Sequence, residues 1–259
     1  MKQTLKLIPL FTCLTLITGC VYHVGGNRNN HTANVTLNET LELDATALSQ
    51  LNIDAGAGYL NIIGSDTNTI MVEAKIRTDE ERRYTLTLKK SGNQAMLVAE
   101  QKSYGSWSGS SPYIDLTVTV PKTLALDIDD GSGDISISRI NNSITLDDGS
   151  GSIEISKING DIHLQDGSGW ITLENINGNI NVEDGSGDLT ISNTSGNIYI
   201  DDGSGQLTVL NTSGKVTVDD GSGDITIENA GGLNIIESGS GGLKVSNISG
   251  QMNIFSSSI

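Results

Sequence analysis

DDGSGDITIENAGG, residues 219–232, closes a series in which DGSG begins at Asp130, Asp148, Asp166, Asp184, Asp202 and Asp220, each copy eighteen residues after the last. A degenerate copy, SGSG, begins at Ser238. A catalytic turn is needed once, so a turn written this often at a fixed period describes architecture first. Within the eighteen runs a clock of nine. From Gly133 a glycine recurs at 151, 160, 169 and every ninth residue to Gly250, with Asn142 in the single gap. Glycine and asparagine both tolerate positive φ, so this column reads as turns.

Two residues after each turn position stands an aliphatic, from Ile135 and Ile144 to Val216 and Ile225. Two residues further lies a second column, from Ile137 and Leu146 to Ile227, and on to Ile236, Val245 and Ile254. The residues between are mostly Ser, Thr, Asn, Asp, Glu or Lys. Period-two alternation makes short strands with one buried and one wet face. Strand, turn, strand, turn closing every eighteen residues predicts an all-β chain folded as a parallel β-solenoid with about 18 residues per coil. Stacked at about 4.8 Å, roughly seven coils give a rod roughly 34 Å long. A third column, Ile140, Ile158, Ile176, Thr194, Thr212, Ala230 and Ile248, occurs once per coil and distinguishes the second corner from the DGSG corner. A stack of antiparallel hairpins is the alternative, because Asp-Gly between strands is also a hairpin signal. Positional identity along the whole rod favours coils. In GGLNIIESGSG, Asn234 falls where an aliphatic belongs, which predicts a bulge between residues 232 and 236.

Before Pro121 the pattern loosens. LNIDAGAGYLNIIG (51–64) reads as a diverged coil, and TIMVEAKI, RYTLTLKK, QAMLVAE and YIDLTVTV as four strands that cover the first aliphatic layer, as terminal units of repeat arrays must. At the far end Phe255 and Ile259 are the candidate caps.

The chain opens MKQTLKLIPLFTCLTLITGC, an apolar run behind Lys2 and Lys6 that is too short to span a bilayer and reads as a secretory signal. Ile17-Thr18-Gly19-Cys20 resembles a bacterial lipobox. That resemblance implies cleavage before Cys20, with diacylglycerol and an amide-linked acyl chain such as palmitate on the new terminus; each buried methylene contributes about 0.8 kcal/mol to membrane binding. Val21 follows where an inner-membrane retention signal would place Asp, so the expected location is the outer membrane, facing the periplasm or the medium. The expected organisation is a lipoprotein signal peptide at 1–19, a lipidated tether at 20–34, an irregular β region at 35–121 continuous with the rod, and the regular solenoid at 122–259. Cleavage would remove Cys13, so no disulfide would staple the exported chain. His23 and His31 lie in the tether without a completing ligand set.

Charge is uneven. From Lys122 onward there are 20 Asp/Glu against five Lys/Arg, whereas residues 21–121 hold 11 against eight. Such a rod repels phosphate backbones and offers no basic groove, which excludes nucleic acid as a partner. Asp130, Asp148, Asp166, Asp184, Asp202 and Asp220 form one expected ladder, and Asp129, Asp147, Glu183, Asp201 and Asp219 another. Like charges at this spacing repel by roughly 1 kcal/mol even in water. Two offsets are open: backbone N–H groups of each Gly-Ser-Gly turn, with no cofactor, or Ca²⁺. GSGDITIEN resembles in outline the calcium-binding nonapeptide GGxGxDxUx, although its acid follows the second glycine directly and alternate turns lack it. Catalysis finds little: identical carboxylates lack the differing environments that separate an acid from a base, and the rod has one histidine, His163.

Two aromatic features are candidate contacts for a protein or glycan. Trp170 stands at an outward site otherwise held by Asp134, Ser152, Asp188, Gln206 and Asp224, and the segment SYGSWSGSSPY (103–113) carries Tyr104, Trp107 and Tyr113 among small residues. Finally, SPYIDLTVTVPKTLALDIDDGSGDISI (111–137), with Val120-Pro121-Lys122 leading to Ser132-Gly133-Asp134, resembles bacterial envelope proteins of the putative-adhesin domain group over roughly residues 35–255. The resemblance implies a β-helical fold and surface attachment, and it transfers no catalytic residue. The expected role is a noncatalytic, lipid-anchored envelope protein, an adhesin or scaffold; the alternatives are a calcium-binding β-roll and a polysaccharide-active β-helix enzyme.

Overall fold

The computed structural model describes residues 32–102 and 109–255, and every regular element in them is a strand. The repeats fold as parallel coils, not as hairpins, because each strand pairs in parallel with the one eighteen residues on: Ile144 with Ile162, Ile162 with Ile180, Ile180 with Ile198, Ile198 with Val216. Two walls result. Wall A runs β5 (Tyr84–Ser91), β6 (Gln94–Gln101), β2 (Gln50–Ala57), β8 (Ala125–Ser132), β10 (Ile144–Asp148), β12 (Ile162–Asp166), β14 (Ile180–Asp184) and β16 (Ile198–Asp202). It ends in the second halves of β17 (Leu207–Asp220) and β18 (Ile225–Glu237) and in β20 (Met252–Ile254). Wall B runs β1 (Val35–Asp44), β4 (Thr69–Thr78), β7 (Tyr113–Pro121), β3 (Leu60–Ser65), β9 (Ile135–Ser138), β11 (Ile153–Ile158), β13 (Ile171–Ile176) and β15 (Leu189–Thr194). The first halves of β17 and β18 and then β19 (Leu243–Ile248) complete it. Between the walls the two aliphatic columns form one continuous core, with Ile153, Ile155, Leu173, Val182, Ile191 and Val209 fully or almost fully buried. The third column is buried as well from Ile140 to Ala230, with Ile248 in the last coil only partly so, and where it turns polar Thr194 donates to Thr212 Oγ1 at 2.8 Å.

Chain order and stacking order part company near the N-terminus. The coil made by β2 and β3 lies over β8 and β9, with Leu51 opposite Leu126, Ala55 opposite Asp130 and Leu60 opposite Ile135, so AGAG (55–58) is a DGSG corner whose acid is alanine. Strands β6 and β7 pair in parallel with its other side. Antiparallel strands then end the stack, β4 and β1 beyond β7 and β5 beyond β6, and the Tyr84 hydroxyl donates to the Glu39 carboxylate across that end.

The corner glycines serve two purposes. At the DGSG corner the second glycine takes positive φ, 149° at Gly187, and a Cβ there would lie 1.5 Å from the Gly169 carbonyl oxygen. At the other corner the glycine is not in the positive-φ region, contrary to the single-column expectation. Gly196 is there because a Cβ would meet the Gly178 carbonyl oxygen at 2.0 Å. Positive φ at that corner falls instead on Arg139, Lys157, Asn175, Asn193, Asn211, Asn229 and Asn247, at 55–62°. Three side-chain hydrogen bonds link the last four asparagines from coil to coil, Asn211 Nδ2 to Asn193 Oδ1 at 3.3 Å, Asn229 to Asn211 at 2.8 Å and Asn247 to Asn229 at 3.0 Å.

The expected bulge falls where the clock breaks. Val218 faces Ile235 while Asp219 faces Glu237, so Ile236 is the extra residue. An earlier slip, between Thr212 facing Ala230 and Lys215 facing Gly232, leaves β18 one residue short and brings Leu233 and Ile235 into the core, and the extra Ile236, expected in the second column, restores the register and is 43% exposed. The last coil is also less covered than its columns suggest: Met252, Ile254 and Phe255 are exposed, so Phe255 does not fold over the core, and Ile259 lies outside the described residues.

Gly196→Ala should destabilise the protein by about 3 kcal/mol or more, because the clash is with backbone that cannot move without unstacking two coils. Asn193→Gly, which keeps the left-handed conformation and loses one link of the amide ladder, should cost under about 1 kcal/mol. Thermal melts followed by far-ultraviolet circular dichroism separate the two.

Candidate functional site

Two features rise above the repeat: the carboxyl file at the DGSG corner and a groove across the outer face of wall A. The file follows from strand parity. Asp148 lies two residues beyond the core residue Leu146, so it points inward, while Asp147 points out. All six DGSG aspartates are buried, between 1% and 6% exposed, in direct register from Asp130 to Asp148 and on to Asp220. In the outer ladder Asp129, Asp147, Glu183 and Asp201 are exposed and Asp219 is half-buried, with Gln165 donating to Glu183 at 2.8 Å within it. The acidic corner is thus two ladders on opposite sides of the backbone.

Each inward carboxyl from Asp148 to Asp202 accepts a backbone N–H through Oδ1, from Ser150 (3.4 Å), Ser168 (3.2 Å), Ser186 (3.1 Å) and Ser204 (3.1 Å). The peptide groups of the corner are satisfied between coils, Gly167 N–H to the Asp148 carbonyl and Gly185 N–H to that of Asp166. No hydrogen-bond partner reaches Oδ2 of any of the six. Burial, reinforced by the next aspartate in the file, raises these acids above the usual carboxylate range: Asp130 to about 8, Asp184 to about 7, Asp148 and Asp202 to about 6. Asp220 also rises to about 6, and Asp166 rises, both chiefly through burial. The acid after the second glycine joins one coil to the next. Asp134, Asp188 and Asp224 accept the backbone N–H of Ser152, Gln206 and Gly242, each eighteen residues on. Among the described residues no three His, Cys, Asp or Glu side chains come together as a metal-ligand set.

The groove crosses five strands of wall A, from β10 to the second half of β17, with a volume of about 640 Å³. Its floor is one column of outward residues, Thr145, His163, Asn181, Tyr199 and Thr217, stacked in register. Its edge is the second-corner column Asp161, Asn179, Asn197 and Lys215. The edge is pinned by its own hydrogen bonds: Asn179 N–H donates to Asp161 Oδ1 (2.7 Å), Asn197 N–H to Asn179 Oδ1 (3.0 Å) and Lys215 N–H to Asn197 Oδ1 (2.9 Å). On the floor, Asn181 Nδ2 lies 2.9 Å from His163 Nδ1, and Tyr199 is 39% exposed. Neither Tyr199 nor this use of His163 was singled out from sequence. The signal was available, because this is the one outward column in which a ring replaces the small polar residues on two coils.

Of the aromatics singled out, Trp170 is 53% exposed beside the DGSG corner on wall B, away from the groove. Tyr113 opens β7 half-buried, opposite Arg77, and its carbonyl accepts from Gln101 Nε2 at 3.2 Å. Tyr104, Trp107 and Cys20 lie outside the described residues, as do His23 and His31.

The file predicts an inverted pH dependence. The folded state holds protons on these acids that the unfolded chain releases near pH 4, so stability falls as pH rises from about 4 to about 8. Denaturant melts should show greater stability at pH 5 than at pH 8. Asp184→Asn should gain on the order of 2 kcal/mol at pH 8, less than half of that at pH 5, and flatten the profile. Equal stability at the two pH values would contradict the file's protonation.

No curated protein matches the chain. Solved structures similar to it include a "putative cell adhesion protein" from Clostridium sporogenes, 16% identical, covering 85% of this chain and 100% of that one with a TM-score of 0.43. A "putative adhesin" from Bacteroides fragilis is 13% identical, with coverage of 86% and 99% and a TM-score of 0.38. A "putative lipid binding protein" from Parabacteroides distasonis is 15% identical, with the same coverage and TM-score. The Toastrack DUF4097 family model matches residues 48–258, from just before the coil of β2 and β3 to beyond the last strand, and the chain belongs to that family.

Proposed function

We propose that this protein is a noncatalytic, lipid-anchored rod of the bacterial outer membrane that presents wall A to a partner, acting as an adhesin or adhesive scaffold. The groove carries the reading. A surface otherwise made of repeated small polar residues there gathers an exposed tyrosine, a histidine, pinned amides and a lysine. A mixed concave lining of this kind is what ligand sites use. It also supports binding over turnover: glycoside hydrolysis uses a pair of carboxyl groups, and the groove is lined by one, Asp161. The six file carboxyls are buried and none of them lines the groove, so they add no second carboxyl to it. Anchoring rests on the lipobox-like Ile17-Thr18-Gly19-Cys20.

Cell fractionation and an adhesion assay test this reading together. The full chain should sediment with outer membranes, Cys20→Ser should move to the soluble fraction, and membranes carrying the wild type should adhere to immobilised envelope polysaccharide and release it unshortened on elution. Shortened polysaccharide would establish an enzyme. Absence of adhesion by membranes that carry the protein would remove the adhesin role.

A second reading is favoured by the unpartnered Oδ2 atoms: Ca²⁺ held between successive coils by Asp130, Asp148, Asp166, Asp184, Asp202 and Asp220. A calcium titration at pH 8 with magnesium as control distinguishes it. Calcium-specific stabilisation at millimolar concentration or below supports an ion array, and equal responses to the two ions leave the file to protons.

A further inference from the structure

We propose that the groove on wall A is the binding site for a neutral, linear glycan laid along the rod axis across the stacked strands. This inference rests on the reading of wall A as a binding face and names what it binds.

Three observations converge. The first is an exposed ring on a flat floor. Tyr199 is 39% exposed in the middle of a parallel sheet, where the apolar face of a sugar can stack on it. The second is a set of hydrogen-bonding groups held in place before any ligand arrives. Asn197 Oδ1 is taken by the Lys215 N–H, which leaves its amide NH₂ as the donor. When Asn181 Nδ2 donates to His163 Nδ1, Asn181 Oδ1 is left as an acceptor and the imidazole Nε2–H as a donor. Fixed donors and acceptors beside a ring suit hydroxyl groups, each of which both donates and accepts. The third is periodicity. Five strands leave four intervals and a groove about 19 Å long, each interval close to the advance of one sugar in an extended chain.

Charge selects among glycans. The groove itself carries one acid, Asp161, and one base, Lys215, whereas the rod around it is strongly acidic, with 20 Asp/Glu against five Lys/Arg from residue 122 onward. Polyanionic polysaccharides are repelled on approach, and neutral ones are not.

The test uses the full chain in mild detergent and a panel of neutral, linear, β-linked hexose and N-acetylhexosamine oligosaccharides of two to six sugars, with affinities measured by calorimetry. Affinity should rise with chain length and level off at about four sugars, one per interval. Tyr199→Ala should weaken binding about tenfold or more, Tyr199→Phe should retain most of it, and Asn181→Ala should weaken it. Tyr59→Ala, which removes an exposed ring outside the groove, should bind as the wild type does. Circular dichroism melts check that each variant is folded. Failure of the wild type to bind any member of the panel, or unchanged binding by folded Tyr199→Ala and Asn181→Ala, overturns the inference. If adhesion to polysaccharide persists in either case, the adhesive reading stands and its surface lies elsewhere. If adhesion fails too, both are wrong.

Discussion

Everything in this rod follows from stacking coils in register at the spacing of one strand. At that distance the corners have no room for a Cβ: the first and second glycines of DGSG and the glycine of the opposite corner all face carbonyl oxygens of the coil below at less than about 3 Å from a hypothetical Cβ. Tight corners hold the two walls close enough for a core made of single aliphatic side chains, and they align the peptide groups that bond from coil to coil. The repeat is therefore a steric necessity at the corners and a hydrophobic one between them.

Superposition also sets the electrostatics. An asparagine stacked on an asparagine gains a hydrogen bond, and the run from Asn193 to Asn247 does so on successive coils. An aspartate stacked on an aspartate inside the corner gains none for Oδ2 and meets a like charge, unless a proton or a cation intervenes. The file stops where the stack becomes irregular. Ala55 takes the position of Asp130 on the next coil, Ala99 lies opposite Ala55, and Ser238 stands at the far end eighteen residues after Asp220.

Much of this was legible in the sequence, because period and identity are one-dimensional signals. The coil length, the core columns of the regular coils and the bulge near Asn234 all follow from counting. What counting missed depends on geometry between coils. One glycine column was read as one conformation, although Gly187 needs positive φ and Gly196 needs only the absence of a Cβ. The recurring Asn at 175, 193, 211, 229 and 247 was the available sign of the left-handed column. The inward direction of the DGSG aspartates was available from their parity with Leu146. Placement of the β2–β3 coil between β7 and β9 had no local signal, since it depends on pairing over long separations. The groove was half legible: Thr145, His163, Asn181, Tyr199 and Thr217 share one column of the eighteen-residue period, which counting finds, but that their column forms the floor of a groove depends on how the coils stack.

The groove and the file thus come from the same rule, one where the repeat varies and one where it does not. The central claim is that stacking buries six carboxyl groups in a continuous file that holds its protons well above the usual carboxylate range, as far as neutrality at Asp130 and Asp184. Carbon-13 NMR of the aspartate side-chain carboxyls, recorded from pH 3 to 9 and assigned with single Asp→Asn variants, measures this directly. The account predicts that the Asp130 and Asp184 signals titrate with midpoints near 8 and 7, and those of Asp148, Asp202 and Asp220 near 6. Titration of all of these below pH 5 would contradict it and place the carboxyls in contact with water or a bound cation.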